Sequence, residues 1–367
     1  MNSDILCSNP RLQFISQKKE ITESILRVLS SDTYILGTEV SAFEDEFAEY
    51  LGVENCIGVN SGTDALILGL RALNISIGDE VITPSHTAVA TVAAIVATGA
   101  IPIFVDIDKD SYTIDPQKVI DSISAKTKAI IAVHLYGNSC DMNSMCQISK
   151  DHGIYLIEDC SQAHGAKWGN RKLGTFGILA CFSFYPTKNL GAIGDGGAIV
   201  TNNVKLADLI RKMRQYGWDS EKISQLTGSV TRLDEIQAAI LRVKLRNLDS
   251  QNLKRQEIAL AYGNLLSDSN LLLPLANIES EHVYHLYVIR LKNRDKIIAE
   301  MNSTGIFPGV HYRLPVHLHP AYKQYRHLSA DKLNNTEEIT EEILSLPMYP
   351  ELSVHEVERI CKVLVNY

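Results

Sequence analysis

The sequence predicts an α/β fold: a mostly parallel central sheet with helices on both faces, followed by a smaller C-terminal α+β domain. Three observations carry that expectation. Between residues 55 and 157 short apolar runs alternate with helical spacers, the rhythm of a sheet whose strands are joined by helices. Runs such as 129–133 and 154–157 are apolar throughout, as strands buried on both faces must be. Beyond Arg211 the alternation stops, and a long helical stretch leads into a different mixture of strand and helix. At 367 residues the chain has room for two domains. The division falls inside that helical stretch, giving a large domain over 1–245 and a small one over 246–367.

Taken in order, residues 11–30 read as a helix with Ile15, Ile21, Ile25 and Val28 on one face. Residues 34–40 lead into a second helix over 41–50. Strand 56–59 runs into Ser61-Gly62-Thr63-Asp64 and then a helix with Leu66, Leu70 and Leu73 in register. Gly78-Asp79-Glu80 turns the chain into strand 81–83, and helix 88–98 and strand 101–105 follow. Strands 129–133 and 154–157 continue the pattern, with helical spacers at 116–124 and 141–152. An apolar, aromatic run over 179–184 makes a buried strand that stops at Pro186, and a glycine-dense loop over 191–197 returns into strand 198–201. Thr231-Arg232-Leu233-Asp234 has the spacing of a capping box and opens a long helix to Gly263. Residues 283–289 alternate as a half-buried strand, and helices near 295–304, 336–344 and 353–365 complete the C-terminal unit.

Composition excludes several classes. A net charge of −8 argues against a nucleic-acid groove or an anionic membrane as partner, while leaving room for anionic ligands held by local donors. No apolar run reaches the length of a membrane span, and residues 1–10 lack the apolar core of a signal peptide. The seven cysteines are scattered with no C-x-x-C pair, the usage of a reducing cytoplasm, with no disulfide framework or structural zinc site.

Ligands of such folds bind outside the carboxyl ends of the strands. Three strand ends carry polar groups. Ser61-Gly62-Thr63-Asp64 opens a helix, whose free N–H groups and positive dipole end hold a phosphate, although Ser61-x-x-Asp64 also suits an ordinary cap. Asp159, with Gln162 and His164 beyond it, follows strand 154–157. A carboxylate there can pair with a protonated ring nitrogen, bind magnesium or cap a helix. Lys188 stands past Ser183 at the mouth of a buried strand, where desolvation lowers an amine's pKa and frees it to attack carbonyls. A solvated loop lysine is the plainer alternative. Together they make a phosphate cradle, a carboxylate for a pyridinium nitrogen and an amine for a Schiff base, the groups that pyridoxal 5′-phosphate (PLP) requires. Glycines 191–197 lead into a strand rather than a helix, so they are not a dinucleotide-binding loop.

Further motifs stand in fixed order: Gly37-Thr38-Glu39-Val40, Gly78-Asp79-Glu80-Val81-Ile82, Val133-His134-Leu135-Tyr136-Gly137, Gln162-Ala163-His164-Gly165, Arg232-Leu233-Asp234-Glu235-Ile236-Gln237-Ala238-Ala239, and His311-Tyr312-Arg313-Leu314-Pro315-Val316-His317. With them the chain resembles, over nearly its full length, the sugar-nucleotide aminotransferases of the DegT/StrS group, PLP enzymes of fold type I. The resemblance implies that Lys188 forms the Schiff base and moves the proton, and that Asp159 keeps the ring nitrogen protonated. Gln162 would contact the ring hydroxyl oxygen, and Gly62, Thr63, Asp64 and Ser183 would hold the phosphate. Tyr312, His311 and His317 would serve the sugar nucleotide, with a surface loop as the alternative for His317. Arg232 would meet the carboxylate of L-glutamate, with a helix-start salt bridge as its equal alternative.

Two positions depart from the family pattern. Val230 stands where an Asn commonly reaches the phosphate of the neighbouring subunit, and Ala88 where an aromatic residue often stacks on the cofactor ring. His86 is the candidate to take over that stacking. The implied reaction moves an amino group from L-glutamate to a nucleotide-linked keto-deoxysugar. Gly194-Asp195-Gly196-Gly197 is similar to enzymes acting on 3-keto sugars, which points to a thymidine diphosphate (dTDP)-linked 3-keto-6-deoxyhexose. A 4-keto-sugar or cyclitol aminotransferase and a catalytically idle regulatory or scaffold relative are the alternatives. The resemblance further implies a cytoplasmic homodimer with active sites at the interface.

Overall fold

A computed structural model describes residues 4–275, 279–328 and 332–365 of the chain. A short strand, β1 (Ile5–Leu6), precedes helices α1 (Pro10–Ser16), α2 (Lys18–Leu29) and α3 (Thr38–Leu51). The single helix expected over 11–30 is therefore two. Gln17 lies between them at φ −120°, ψ 17°, outside helical geometry, with its side chain buried. The predicted alternation follows: β2 (Asn55–Val59), α4 (Gly62–Ala72), β3 (Glu80–Pro84), α5 (Val89–Ala97), β4 (Ile101–Val105), α6 (Pro116–Asp121), β5 (Thr127–Val133), α7 (Met142–His152) and β6 (Tyr155–Asp159). A small hairpin, β7 (Lys167–Trp168) and β8 (Arg171–Lys172), precedes β9 (Leu179–Ser183), β10 (Gly197–Thr201) and α8 (Val204–Met213).

Seven strands form the main sheet in the order β2-β10-β9-β6-β5-β3-β4. β9, β6, β5, β3 and β4 run parallel to one another, and β10 is antiparallel to both of its neighbours. Alternate residues feed opposite faces. Ile130, Ala132, Phe182 and Val200 join one apolar cluster with Phe43 and Phe47 of α3. Ile131, Ile157, Cys181 and Ile199 join the other with Leu66 and Leu70 of α4. Both faces are thus covered.

The C-terminal half contains α9 (Glu235–Leu245), α10 (Leu248–Leu265), β11 (Ser280–Glu281), β12 (Tyr287–Arg290), α11 (Arg294–Ser303), β13 (Ile306–Phe307), α12 (Asn334–Glu342), β14 (Ile343–Leu346) and α13 (Val354–Leu364). The long helix expected to reach Gly263 breaks at Arg246-Asn247. The strand expected over 283–289 begins only at Tyr287. Before it the N–H groups of Val283 and Leu286 bond to the carbonyls of Gly137 and Tyr136, and Tyr284 adopts φ 43°. A third cluster gathers Tyr262, Ile289, Leu344 and Ile360. Ile5 joins it, because β1 pairs with β13, so the N-terminal strand crosses the expected division at 245.

Thr231–Asp234 is not a capping box. α9 starts at Glu235, and Asp234 at its N-cap makes no side-chain capping bond. Thr231 and Arg232 stay extended: the Asn60 N–H donates to the Thr231 carbonyl at 3.2 Å, and Arg232 faces Val59 across an isolated bridge. The Glu235 carboxylate serves a different helix. It accepts from the N–H groups of Gly37, Glu39 and Val40 at 2.8, 3.0 and 3.0 Å, satisfying the open start of α3.

Candidate active site

A cavity of about 230 Å³ opens where the sequence placed the chemistry, at the carboxyl ends of β2, β5, β6 and β9. One end is the start of α4. Ser61 is its N-cap, accepting from the Asp64 N–H at 3.1 Å and donating to the Asp64 carboxylate at 3.1 Å. Two glycines permit the close approach here. A Cβ at Gly62 would lie 2.6 Å from Cβ of Ser183, and one at Gly197 would lie 2.4 Å from the Ser61 carbonyl. Gly62 and Thr63, whose N–H groups open α4, therefore line the cavity beside Ser183, an arrangement suited to an oxyanion.

At the end of β6, Asp159 is 4% exposed. Its carboxylate accepts from the Thr91 hydroxyl at 2.9 Å and the Ser161 N–H at 3.1 Å. Thr91 shares a hydrogen bond of 2.9 Å with Thr87, another residue of the cavity wall. Gln162 accepts from the Tyr136 N–H at 2.7 Å, which fixes its Oε1, so its Nε2 donates to the Tyr312 hydroxyl at 3.2 Å. Lys188 closes the cavity. Burial lowers its amine to about 8 against the opposing pull of Asp159, so a usable fraction is uncharged near neutrality.

Gly62, Thr63, Asp159, Gln162, Ser183 and Lys188 are thus brought around one cavity, and Tyr312 joins them through Gln162. The other candidates stand elsewhere. Asp64 is turned back onto Ser61. His86 does not line the cavity, correcting the expectation that it stacks there; Thr87 and Ala88 form that wall. His86 is buried edge-on to Tyr136 and bonds through Nε2 to its hydroxyl at 2.6 Å. Burial lowers its pKa to about 3. His311 bonds through Nδ1 to the Ser345 hydroxyl at 2.9 Å, while its carbonyl accepts from the Tyr136 hydroxyl. His317 is buried rather than on a surface loop, held between the Ser85 hydroxyl at 2.7 Å and Glu337 at 3.1 Å. Arg232 faces β2 and does not line the cavity.

Sequence reasoning missed Thr91 as the partner of Asp159. Its signal was the Thr87 and Thr91 pair, spaced i,i+4 at the start of an otherwise apolar helix. Asp195 and Tyr185 also reach the cavity wall. A second group, His134, Glu158 and Cys160, lies within 4.8 Å on buried positions. Two of the three are already engaged: Glu158 accepts from His134 Nε2, and His134 Nδ1 accepts from the Cys140 N–H at 3.2 Å.

A doubly covered α/β sheet that sets a lysine of lowered pKa against a carboxylate across a glycine-walled helix start is suited to amine–carbonyl chemistry. The chain belongs to the DegT/DnrJ/EryC1/StrS aminotransferase family, whose model matches residues 15–365. It is an aminotransferase. It is similar to a dTDP-3-amino-3,6-dideoxy-alpha-D-galactopyranose transaminase of Aneurinibacillus thermoaerophilus, 44% identical over 350 residues that cover 95% of this chain and 96% of the relative. Among solved structures it is similar to Streptomyces venezuelae DesV in complex with a ketimine intermediate, with a TM-score of 0.96, 39% identity and coverage of 100% of this chain and 98% of that one. NtdA of Bacillus subtilis with bound cofactor PMP superposes with a TM-score of 0.89 at 31% identity, over 96% of this chain and 82% of that one. No helix of the described residues is long and apolar enough to cross a membrane.

Proposed function

We propose that this chain uses PLP to move an amino group from L-glutamate to a keto carbon of a nucleotide-linked deoxysugar, working as a homodimer in the cytoplasm. The observation that carries the reading is one cavity shared by a lysine amine lowered to about 8, a buried carboxylate and a glycine-walled helix start. The residues fit the cofactor. Gly62, Thr63 and Ser183 would hold its phosphate, Asp159 its ring nitrogen, Gln162 Nε2 its ring oxygen, and Lys188 its aldehyde carbon. PLP, when bound, supplies an electron sink for the carbon that gains or loses nitrogen. Asp159 would keep the ring nitrogen positive, with Thr91 and Ser161 fixing the carboxylate. Lys188 would hold and move the proton at the reacting carbon.

The preferred acceptor is a dTDP-linked 3-keto-6-deoxyhexose. Its support is the Gly194-Asp195-Gly196-Gly197 loop, whose Asp195 lies on the cavity wall, and the dTDP-3-amino sugar named for the Aneurinibacillus relative. The test takes purified protein with added PLP through an absorption spectrum before and after L-glutamate, then through turnover on 3-keto and 4-keto sugars carried on thymidine or uridine diphosphate. A visible band that glutamate bleaches, with fastest turnover on the dTDP-3-keto sugar, is expected. A band indifferent to glutamate would remove the donor from the reading, and faster turnover of a 4-keto sugar would replace the acceptor.

A further inference from the structure

We infer that Asn252, on α10, is a positioning residue that ties the loop bearing Lys188 to the loop that leaves β6 after Asp159 and bears Gln162. β6 and β9 lie side by side, but their pairing ends at Asp159 opposite Cys181, before either loop begins. Beyond that point a chain of buried amides takes over. Asn189, next to Lys188 and 3% exposed, donates its Nδ2 to Oδ1 of Asn252 at 2.9 Å and to the Val283 carbonyl at 3.0 Å. Asn252, 5% exposed, donates its own Nδ2 to the His164 carbonyl at 2.8 Å. His164 lies at the far end of the loop that follows Asp159, so one side chain from α10 grips both loops.

The orientation of each amide is determined. Turning Asn252 over would set two donors against each other at Asn189 and two acceptors against each other at His164. Asn189 Oδ1 in turn faces His285 Nδ1 at 3.2 Å, so His285 carries its proton there. Gly165 makes the grip sterically possible: it has φ +83°, and a Cβ there would stand 2.8 Å from Nδ2 of Asn252. The network is uncharged throughout. Burial, reinforced by Lys188 and Arg255, keeps His285 well below its ordinary pKa. It therefore fixes the Lys188 loop without placing a charge beside an amine that must be neutral to react.

The inference rests on the PLP reading, and the test separates the two. Wild type, Asn252→Leu and Asn252→Asp are loaded with PLP. The pH midpoint of the visible band, the rate at which glutamate bleaches it and the thermal midpoint are then measured. Asn252→Asp keeps the shape and the acceptor for Asn189 but loses the donor to His164. Both variants are expected to keep the band, shift its midpoint by about 0.5 pH unit or more, and bleach about 10- to 100-fold more slowly, the cost of an ångström-scale misplacement. Asn252→Asp also sets a carboxylate into the uncharged network, so its midpoint shift carries a charge effect as well; if Asn252→Leu does not fold, Asn252→Ala, which removes both bonds without a charge, decides in its place. Tyr50→Phe, which breaks a neighbouring hydrogen bond to Asp249 of the same helix, should lower the thermal midpoint and leave the spectral midpoint in place. Asn252 variants that lose thermal stability yet keep wild-type midpoint and rate would overturn the inference. Absence of the band from wild type as well would sink the cofactor reading itself, and the inference with it.

Discussion

Glu158 and Asp159 are consecutive carboxylates at the end of β6, and the alternation of a strand sends them to opposite faces of the sheet. Both are buried. Glu158 is also saturated: it accepts from His134 Nε2 at 3.2 Å and from the N–H groups of Gly174, Phe176 and Gly177 at 2.8, 2.7 and 2.8 Å. Burial pushes its pKa up, but these bonds outweigh that and hold the carboxyl below its ordinary value. Asp159 accepts from the Thr91 hydroxyl and the Ser161 N–H and keeps lone pairs for the cavity. Burial does not separate the acid held by the fold from the one that faces the cavity. Spare hydrogen-bonding capacity does.

The comparison breaks most readily at Asp159. Asp159→Asn removes the charge that would hold a ring nitrogen positive, and the single-turnover rate with glutamate should fall by about 10³-fold with little change in thermal midpoint. A loss smaller than tenfold would contradict the assignment. Glu158→Gln should do the reverse, turning an amide N–H₂ toward backbone donors and costing about 3 kcal/mol in urea unfolding. The rate per folded, PLP-loaded molecule should stay within a few-fold of wild type. Thr91→Val tests the support of Asp159 and should slow the same half-reaction about tenfold, the equivalent of one hydrogen bond to a charged group. The smallest effect is a pH shift. Capture of a small aldehyde by PLP-free protein should rise through a midpoint near 8, because burial holds Lys188 below its ordinary 10.5. In Asp159→Asn the midpoint should drop further, since the carboxylate favours the ammonium form. A wild-type midpoint near 10.5 would show that Lys188 is solvated.

The sheet was legible because its central strands are largely buried on both faces, so residues 101–105, 129–133 and 154–157 stand out as apolar runs between helices. The cavity-facing residues were legible for a related reason: at a strand end a polar residue interrupts such a run, as Asp159 and Ser183 do. What hid was whatever depends on direction or on distant partners. His86 and Ala88 sit two residues apart, yet only Ala88 reaches the cavity, because His86 is claimed by Tyr136 from another loop. Thr91 looked like one more residue of an apolar helix until Asp159 came within reach of it. Thr231-Arg232-Leu233-Asp234 has the letters of a helix start, but bonding to Asn60 and Val59 keeps it extended.

Glu235 closes the start of α3 from 198 residues downstream of Gly37. A helix normally carries its own cap within four residues, so it can form as soon as it is made. α3 cannot. At about 5–20 residues per second of synthesis, its opening N–H groups wait roughly 10–40 s for the carboxylate that satisfies them. The family motif at 37–40 and the one at 232–239 are therefore two halves of a single late clasp, and a ribosome-bound chain cut short of Glu235 should hold α3 with a frayed first turn.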